Sequence, residues 1–323
     1  MRLTRRAALA LPLPLLATTA RADTWAPDRP LRLIVPYVAG GSVDAGARII
    51  ADRMGSTLGQ PVAVENRGGS GGNIGAEVVV RAPPDGHTLL MGATGGLTTN
   101  QHIYPNMTFD PLRDLAPVSI CYTSDLSLVV PANSPATTLA EFIAYAKANP
   151  GAISYGSSGH GASTHTAMAL FLLAAGLEAT HIPYRGSAAA MNDLLGGRLQ
   201  AMMVQIATST GPIRAGRIRA LAATGPRRHH LLPEMPSIGE LGFPEAQATS
   251  WAAIVAPAAT PQPAIARLNA AVVEAVAHPP TAARLVAAGL DGESGTPQQL
   301  AAFLQAESVK WARVVREAKI KVE

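Results

Sequence analysis

Three glycine-rich stretches carry the residues whose types and spacing are best suited to binding an anion. Each follows a short apolar run and precedes a helical pattern, so each is expected to leave free backbone N–H groups at the positive end of a helix dipole. Glycine allows a ligand to approach the backbone closely. The stretches are residues 36–44, 66–75 and 155–164. Because no cluster of catalytic side chains accompanies them, we expect a protein that holds a ligand rather than converts it.

Backbone amides and hydroxyls have to supply most of the binding energy at such a site. A helix dipole contributes about 0.3–1 kcal/mol to a bound carboxylate, whereas micromolar affinity needs about 8 kcal/mol. Charge-assisted hydrogen bonds, strengthened when water is excluded, are the expected source of the difference. The predicted ligand-binding residues are Tyr37, Ala39, Gly40, Gly41, Ser42, Asp44, Gly71, Asn73, Ser157, Ser158, Gly159, His160, Ser163, Thr164 and Arg185.

Simpler structural roles stay open for several of these residues. The glycine loops around Gly41 and Gly159 are also compatible with tight turns alone, and residues 68–75 with a loop that only shapes a cleft. Asp44 either faces a ligand ammonium group or compensates a helix dipole, which is the common role of an acid in a first turn. Arg185 either binds a distal carboxylate or extends into solvent, as most arginines do.

A metal site and a nucleotide site are not expected. His160 and His165 are separated by five positions, which does not bring both rings to one helical face, and no cysteine or carboxylate completes a ligand set. No phosphate-binding loop of the G-x-x-x-x-G-K-[ST] type occurs, so no cofactor is expected. His229 and His230 lie beside two arginines in a proline-rich connection. They are expected to be solvated, with a basic surface for a partner as the alternative.

The alternative that involves catalysis is a serine esterase. The stretch Gly68-Gly69-Ser70-Gly71-Gly72 matches G-x-S-x-G between a strand and a helix, the context that a nucleophile elbow requires. A loop so rich in glycine matches this pattern by chance. A triad also needs an acid and then a histidine later in the chain, and no histidine follows Asp291. We therefore expect no enzymatic activity and no catalytic residue.

Short apolar runs alternate with helical patterns along the chain, which indicates open α/β sheets flanked by helices. Two β-type stretches are the expected crossings between two lobes, one with strands at 116–122 and 126–130, the other at 251–256. Paired crossings permit a hinged cleft, because two connections can rotate with little unfolding. The predicted lobes are residues 23–126 with 250–323, and residues 127–249. The predicted helices include residues 42–58, 73–82, 139–148, 163–175, 187–195 and 213–217.

The N-terminus has the pattern of an export signal. Arg2, Arg5 and Arg6 precede an apolar stretch, residues 7–17, that is too short to span a bilayer, and Ala20-Arg21-Ala22 is an A-x-A cleavage site. We predict that residues 1–22 are a signal peptide, removed on export to the periplasm through the general secretory route. The paired arginines leave the twin-arginine route as the alternative.

Composition and charge narrow the class of protein further. The chain has 323 residues, 48% of them hydrophobic and 15% charged. About 300 residues remain without the signal, which favours two domains. The net charge of +4 includes the signal arginines, so the mature chain is close to neutral, and neither nucleic acid nor a membrane surface is an expected partner. Cys121 is the single cysteine, so no intramolecular disulfide can form.

Several motifs occur together in an order that identifies a family. They are Pro36…Gly40-Gly41…Asp44, Glu65-Asn66-Arg67…Gly71-Gly72-Asn73-Ile74-Gly75, Pro84-Asp85-Gly86-His87-Thr88-Leu89, Tyr155…Ser157-Ser158-Gly159, His181-Ile182-Pro183-Tyr184-Arg185-Gly186 and Leu194-Leu195-Gly196-Gly197. From about Leu31 to Pro261 the chain closely resembles the Bug (TctC-like) solute receptors of tripartite tricarboxylate transporters. The resemblance implies a two-lobed periplasmic binding protein fold of type II with a small carboxylate between the lobes. It also implies delivery of the ligand to a membrane permease, or in some members to a sensor kinase without a role in transport. We expect the protein to be a monomer.

Two departures from the family pattern concern the ligand. Family members usually carry a proline-rich first loop with Thr or Ser before its Asp, whereas this chain has Tyr37-Val38-Ala39 and Val43. After the strand near Met203 the family often has Asp, and this chain has Val204-Gln205. The resemblance therefore implies the class of ligand and not its identity.

Overall fold

The computed structural model describes residues 25–321. The predicted signal peptide, residues 1–22, lies outside the described residues. Within residues 25–321, no helix is long and apolar enough to span a membrane. Cys121 is buried and free, and burial raises the pKa of its thiol to about 12.

A parallel βαβαβ unit opens the described chain, as the alternation of apolar runs predicts. Its elements are β1 (Leu31–Val35), α1 (Ser42–Leu58), β2 (Val62–Asn66), α2 (Asn73–Val80) and β3 (Thr88–Ala93). β1 lies between β2 and β3 and pairs in parallel with both. Because parallel strands end at one edge of their sheet, the loops that follow these three strands meet there.

One long strand joins two sheets. β4 (Leu115–Pro131) runs without interruption, so the prediction of separate strands at 116–122 and 126–130 is wrong. The polar residues between those stretches do not break the strand, because they pair with β9 (Thr249–Pro257), which runs antiparallel to β4 as far as Asp125. Beyond Asp125, β4 pairs instead with β7 (Ala201–Gln205) and β8 (Ile218–Ala223).

The second sheet repeats the α/β alternation. β5 (Ser154–Ser157) pairs in parallel with β6 (Thr180–Pro183) and with β7. The prediction of a helix at 213–217 is wrong in position. The helix between β7 and β8 ends at Arg214 and contains Pro212. Proline usually breaks a helix, so the sequence pattern does not predict a helix that continues through it. The remaining elements of this part are α4 (Leu139–Ala148), α5 (Ser163–Ala175), α6 (Ser187–Leu195) and α7 (Ile206–Arg214).

The last part of the chain returns to the first sheet. The short β10 (Asp291–Gly292) pairs with β4 at Tyr122 and Thr123. The strand order is β2-β1-β3-β9-β4 in the first sheet and β4-β7-β5-β6 in the second, with β8 and β10 also beside β4. The other elements are α3 (Pro111–Asp114), α8 (Gln262–Ala277), α9 (Pro279–Ala287) and α10 (Pro297–Glu317).

Each sheet has its own apolar core, and α10 contributes to both. Leu304 in its first half packs against residues of the first sheet, whereas Trp311 in its second half packs in the core of the second. The predicted core residues Met202, Met203 and Trp251 are almost fully buried. The lobe boundaries stay a prediction. The second half of α10 belongs to the predicted first lobe in sequence but packs in the core of the second sheet.

Candidate functional site

Four loops meet where the two sheets approach each other. Three of them are the glycine-rich stretches that follow β1, β2 and β5. The fourth follows β3 and consists of a π-helical turn, Gly95–Thr99, and a 3-10 turn, Asn100–His102. The carboxyl ends of parallel strands are the usual place of ligand sites in α/β proteins. We call the space between these four loops the cleft.

The cleft is narrow because glycines from both sides line it. A Cβ atom on Gly71 would lie 3.0 Å from the main-chain oxygen of His160 on the other side. A Cβ atom on Gly95 would lie 3.1 Å from the oxygen of Gly71 and 3.4 Å from that of Gly161. Gly161 has a φ of +72°, and a Cβ atom there would collide with the side-chain oxygen of Asn100. Glycine at these positions therefore allows the two sides to come together.

The first turn of α1 is held by Asp44. Its buried carboxylate accepts hydrogen bonds from the N–H of Gly40 at 2.9 Å and from Asn66 at 2.9 Å, and it forms an ion pair with Arg48. Burial alone raises the pKa of Asp44, but the hydrogen bonds from these three partners outweigh it, and the pKa lies below its ordinary value. The geometry favours a structural role for Asp44 and leaves the Gly40 N–H engaged. The helix has no side-chain cap, so the N–H groups around Ser42 are the ones available to an anion.

Tyr37 connects the first loop to two others. Its hydroxyl oxygen would lie 3.3 Å from a Cβ atom on Gly72. Burial raises the pKa of Tyr37 to about 12, although the nearby backbone of Gly96 acts in the opposite direction. Ala39, the other predicted residue of this segment, is exposed. Tyr37 therefore positions the loops on this side of the cleft.

The loop after β5 is held by its own hydroxyl groups. The buried hydroxyl of Thr164 accepts a hydrogen bond from the N–H of Ser158 at 2.9 Å and lies 2.9 Å from the Ser158 hydroxyl. The hydroxyl of Ser157 accepts from the N–H of Gly159 at 3.2 Å. α5 begins at Ser163 without a side-chain cap. Ser157 and Thr164 therefore shape the loop, and the N-terminus of α5 stays available to an anion.

Three histidines form a cluster beside this loop, which we call the imidazole cluster. His165 and His181 are stacked with ring centres 3.7 Å apart and planes inclined by 8°, and His160 stands edge-on to both. The N–H of Gly161 donates to Nδ1 of His165 at 3.2 Å, and the Ser157 hydroxyl lies 2.6 Å from Nε2 of His181. Burial lowers the pKa of all three rings, that of His181 to about 4, so they are neutral at pH 7.

Sequence spacing does not reveal the imidazole cluster. His181 reaches it through the pairing of β6 with β5, which places His181 opposite Tyr155. One nitrogen of each ring lies within 4.8 Å of the other two. However, the lone pairs of an imidazole lie in its ring plane, and two parallel planes do not meet. The stacked His165 and His181 are therefore poorly arranged to share one metal ion.

Several buried polar atoms at the cleft lack a partner. Oγ1 of Thr94 and of Thr99, Oδ1 of Asn100 and Nδ1 of His160 make no hydrogen bond within the described residues. The amide nitrogen of Asn100 donates to Oδ1 of Asn73 at 2.6 Å, which leaves its oxygen for another partner. Buried polar groups nearly always have a partner, so these atoms mark places for a ligand or a water molecule. None of the predicted ligand-binding residues lies in the segment after β3, although its pair of glycines, Gly95 and Gly96, is a signal of the same kind as those in the other three loops.

Two further residues from the sequence analysis lie at the rim. Arg185 is exposed, and among the described residues its side chain makes no ion pair. The neighbouring Gly186 faces Val38, because a Cβ atom there would lie 4.0 Å from the valine side chain. Ser70 is exposed in the 3-10 turn Ser70–Gly72. No histidine within residues 25–321 is hydrogen-bonded to its hydroxyl, so nothing in the described part supports the esterase alternative.

Comparison with known proteins shows to which family the chain belongs. The sequence model of TctC, the tripartite tricarboxylate transporter family receptor, matches residues 46–320. The protein belongs to the TctC family. One protein that is similar to this TctC chain is BugT of Bordetella pertussis strain Tohama I. The two share 36% identity over 309 residues, which cover 95% of this chain and 94% of BugT. The resemblance to the Bug (TctC-like) receptors is confirmed.

Two solved structures share the fold of this TctC protein. MatC from Rhodopseudomonas palustris, solved with bound malate, has 30% identity and a TM-score of 0.82, and the match covers 90% of this chain and 99% of MatC. A second R. palustris protein, solved with adipate, has 34% identity and a TM-score of 0.85 over 92% of this chain and 99% of that one. The predicted α/β fold of a periplasmic binding protein is confirmed.

Proposed function

We propose that this protein is a periplasmic receptor that binds a small carboxylate between two lobes and delivers it to a membrane permease of the tripartite tricarboxylate type. The observation that carries the proposal is the pair of helix N-termini without side-chain caps, those of α1 and α5, on the two sides of the cleft. Each offers backbone N–H groups and the positive end of a dipole to a carboxylate. Two such ends suit an acid with a carboxylate at each end.

The two lobes of the proposal are residues 23–126 with 250–323, and residues 127–249. β4 and β9 connect them, and β4 changes its pairing partner at Asp125. Rotation at this point separates Gly71 from Gly161 and opens the cleft. Closure brings the loops together again and excludes water, which strengthens every hydrogen bond to a charged ligand.

Known relatives support a carboxylate ligand. MatC was solved with malate and a second similar protein with adipate, and both ligands carry two carboxylates. The family consists of receptors, so the proposal includes no reaction. Export through the predicted signal, residues 1–22, brings the protein to the compartment in which such receptors work, and we propose that it acts there as a monomer.

Thermal unfolding of residues 23–323 in the presence of candidate acids tests the binding proposal. Succinate, malate, adipate, citrate, glutamate and benzoate form the panel, with succinamide and adipamide as neutral counterparts. At least one acid should raise the melting temperature, because a ligand at a hundredfold excess over Kd adds about 2.7 kcal/mol to the free energy of unfolding. Stabilisation by an amide and by no acid would contradict the carboxylate proposal.

A pair of serine variants tests whether the acid binds in the cleft. Ser158→Ala removes a hydroxyl at the cleft and should weaken the stabilising acid about tenfold or more in calorimetry, because hydrogen bonds to charged groups contribute about 1.5–3 kcal/mol. Ser56→Ala removes an exposed hydroxyl of α1 that bonds the oxygen of Asp52, and it should leave the affinity unchanged. Equal affinity in both variants would place the ligand elsewhere.

Delivery to a permease is tested separately by uptake of the labelled acid. Cells that contain the permease should take up the acid when the receptor is present, and much less when it is deleted. With Ser158→Ala, uptake below the Kd should fall in proportion to the lost affinity. Uptake that does not depend on the receptor would remove the transport role and leave the binding result standing.

A further inference from the structure

A second group of donor side chains lies beside β4, where the two sheets join. His229 and His230, which follow β8, meet Asp291 of β10, and one nitrogen or oxygen of each lies within 4.8 Å of the others. Nε2 of His229 is 3.5 Å from Oδ2 of Asp291. The two histidines were expected to be solvated, which holds for the exposed His230 but is wrong for His229, whose exposed fraction is 5%.

Asp125 lies beside these three donors. Strand pairing places Asp291 opposite Thr123 of β4, and Asp125 lies on the same face because side chains alternate along a strand. Its carboxylate lies over Gly225, where a Cβ atom would collide with it. Within residues 25–321, neither carboxylate forms a salt bridge with a lysine or an arginine. We call the three donors the hinge cluster: His229, His230 and Asp291.

The hinge cluster differs from the imidazole cluster in two ways: it combines two imidazoles with a carboxylate, and one of its rings, that of His230, is exposed and can turn. A tetrahedral ion with bonds of about 2.0–2.2 Å has neighbouring ligand atoms about 3.3–3.6 Å apart. The His229 and Asp291 atoms have this separation, at 3.5 Å. The rings of His229 and His230 are stacked, inclined by 28° with centres 4.3 Å apart, so the exposed His230 has to turn its ring before a nitrogen points at the ion. Imidazole nitrogens together with a carboxylate oxygen suit divalent transition metals.

We propose that the hinge cluster binds one divalent transition-metal ion of the Zn²⁺ type. Asp291 belongs to the first sheet through β10, whereas Leu232, close behind His229, packs on Ala223 of β8 in the second. The ion therefore ties the two sheets together beside the strand that connects them. In the metal-free ring, the N–H of Leu231 donates to Nδ1 of His229 at 3.2 Å. This hydrogen bond has to break when Nε2 binds the ion, because Nδ1 then carries the proton and can no longer accept.

Titration of the tag-free mature chain, residues 23–323, with Co²⁺ tests the site, because the visible absorption of Co²⁺ reports its coordination. We expect saturation at one ion per chain and displacement by Zn²⁺. Asp291→Asn and His230→Ala should each weaken Co²⁺ binding about tenfold or more. Glu293→Gln, which removes an exposed acid close to Asp291, is the matched control and should bind as the wild type does. Melting curves in chelator show that the variants are folded.

Zn²⁺ should raise the melting temperature of the wild type and of Glu293→Gln, and should raise that of Asp291→Asn clearly less. No absorption at millimolar Co²⁺ would overturn the proposal. Equal affinity of the wild type, His230→Ala and Asp291→Asn would overturn it as well, since the ion would then be held elsewhere. Loss of binding in His181→Gln, with Asp291→Asn unaffected, would assign the ion to the imidazole cluster and overturn the hinge site.

Discussion

Acidification is expected to destabilise the protein through the imidazole cluster. Within the described part of the chain, no acidic group forms an ion pair with His160, His165 or His181, and burial lowers the pKa of all three. On unfolding, each ring recovers its ordinary pKa of about 6.5. A histidine whose pKa is lower in the folded state contributes stability that is fully present above pH 6.5. This stability is lost as the pH falls from there towards the folded pKa.

The pKa of His181 gives the size of the effect. It is about 4 in the folded protein, against an ordinary value of 6.5. At pH 5, about 97% of unfolded chains and about 9% of folded chains carry a proton on this ring, and proton linkage gives a loss of about 2 kcal/mol relative to pH 7.5. Typical proteins have a free energy of unfolding of about 5–15 kcal/mol, so this loss is on the order of a fifth of it.

Urea denaturation at pH 7.5, 6 and 5, followed by tryptophan fluorescence, measures this loss. His181→Gln keeps a polar group beside Ser157 but does not titrate, so its free energy of unfolding should fall by about 2 kcal/mol less between pH 7.5 and pH 5 than that of the wild type. His278→Gln is the control, because its ring is hydrogen-bonded to Thr281 outside the cluster. If His181→Gln and the wild type lose the same free energy, the cluster does not set the acid sensitivity and the reasoning fails.

Three further substitutions test other parts of the structure. Asp44→Asn weakens the hydrogen bonds that hold the first loop and should lower the free energy of unfolding by about 1–3 kcal/mol in urea at pH 7; unchanged stability would contradict its structural role. Gly161→Ala places a Cβ atom against Asn100 and should weaken the stabilising acid at least about tenfold in calorimetry. Its control is Gly176→Ala, where φ is +61° and the space is open, which should cost stability but no affinity. Trp311→Ala removes a side chain that is 1% exposed and should cost about 3–5 kcal/mol, and a loss below about 1 kcal/mol would show that α10 does not hold the second core.

The sequence predicts the α/β units well where glycine marks their ends. The bounds of α1, α5 and α6 coincide with those predicted, because Gly59, Gly176 and Gly196 follow them directly. β4 was divided in the prediction because three polar residues lie in its middle, and only pairing with β9 keeps them in one strand. Local pattern also failed for α7, where Pro212 lies inside the helix. Tertiary pairing and packing decided both elements.

The positions of the ligand loops follow from chain order, but the partners across the cleft do not. Asn100 faces Gly161 only because the two sheets meet, and no spacing in the sequence relates them. His181 joins His165 through strand pairing, and Asp291 joins His229 from the last part of the chain. Side chains brought together by different elements are therefore the part of the site that required the structure.

A crystal structure of the mature protein, grown with the acid that stabilises it, tests the central claim most directly. We predict that a carboxylate oxygen of the ligand lies within about 3 Å of a backbone N–H in the first turn of α1 or α5, near Ser42 or Ser163. The loops around Gly71 and Gly161 should enclose the ligand from both sides. An acid bound outside the cleft, or inside it with neither helix N-terminus in contact with a carboxylate, would contradict the account.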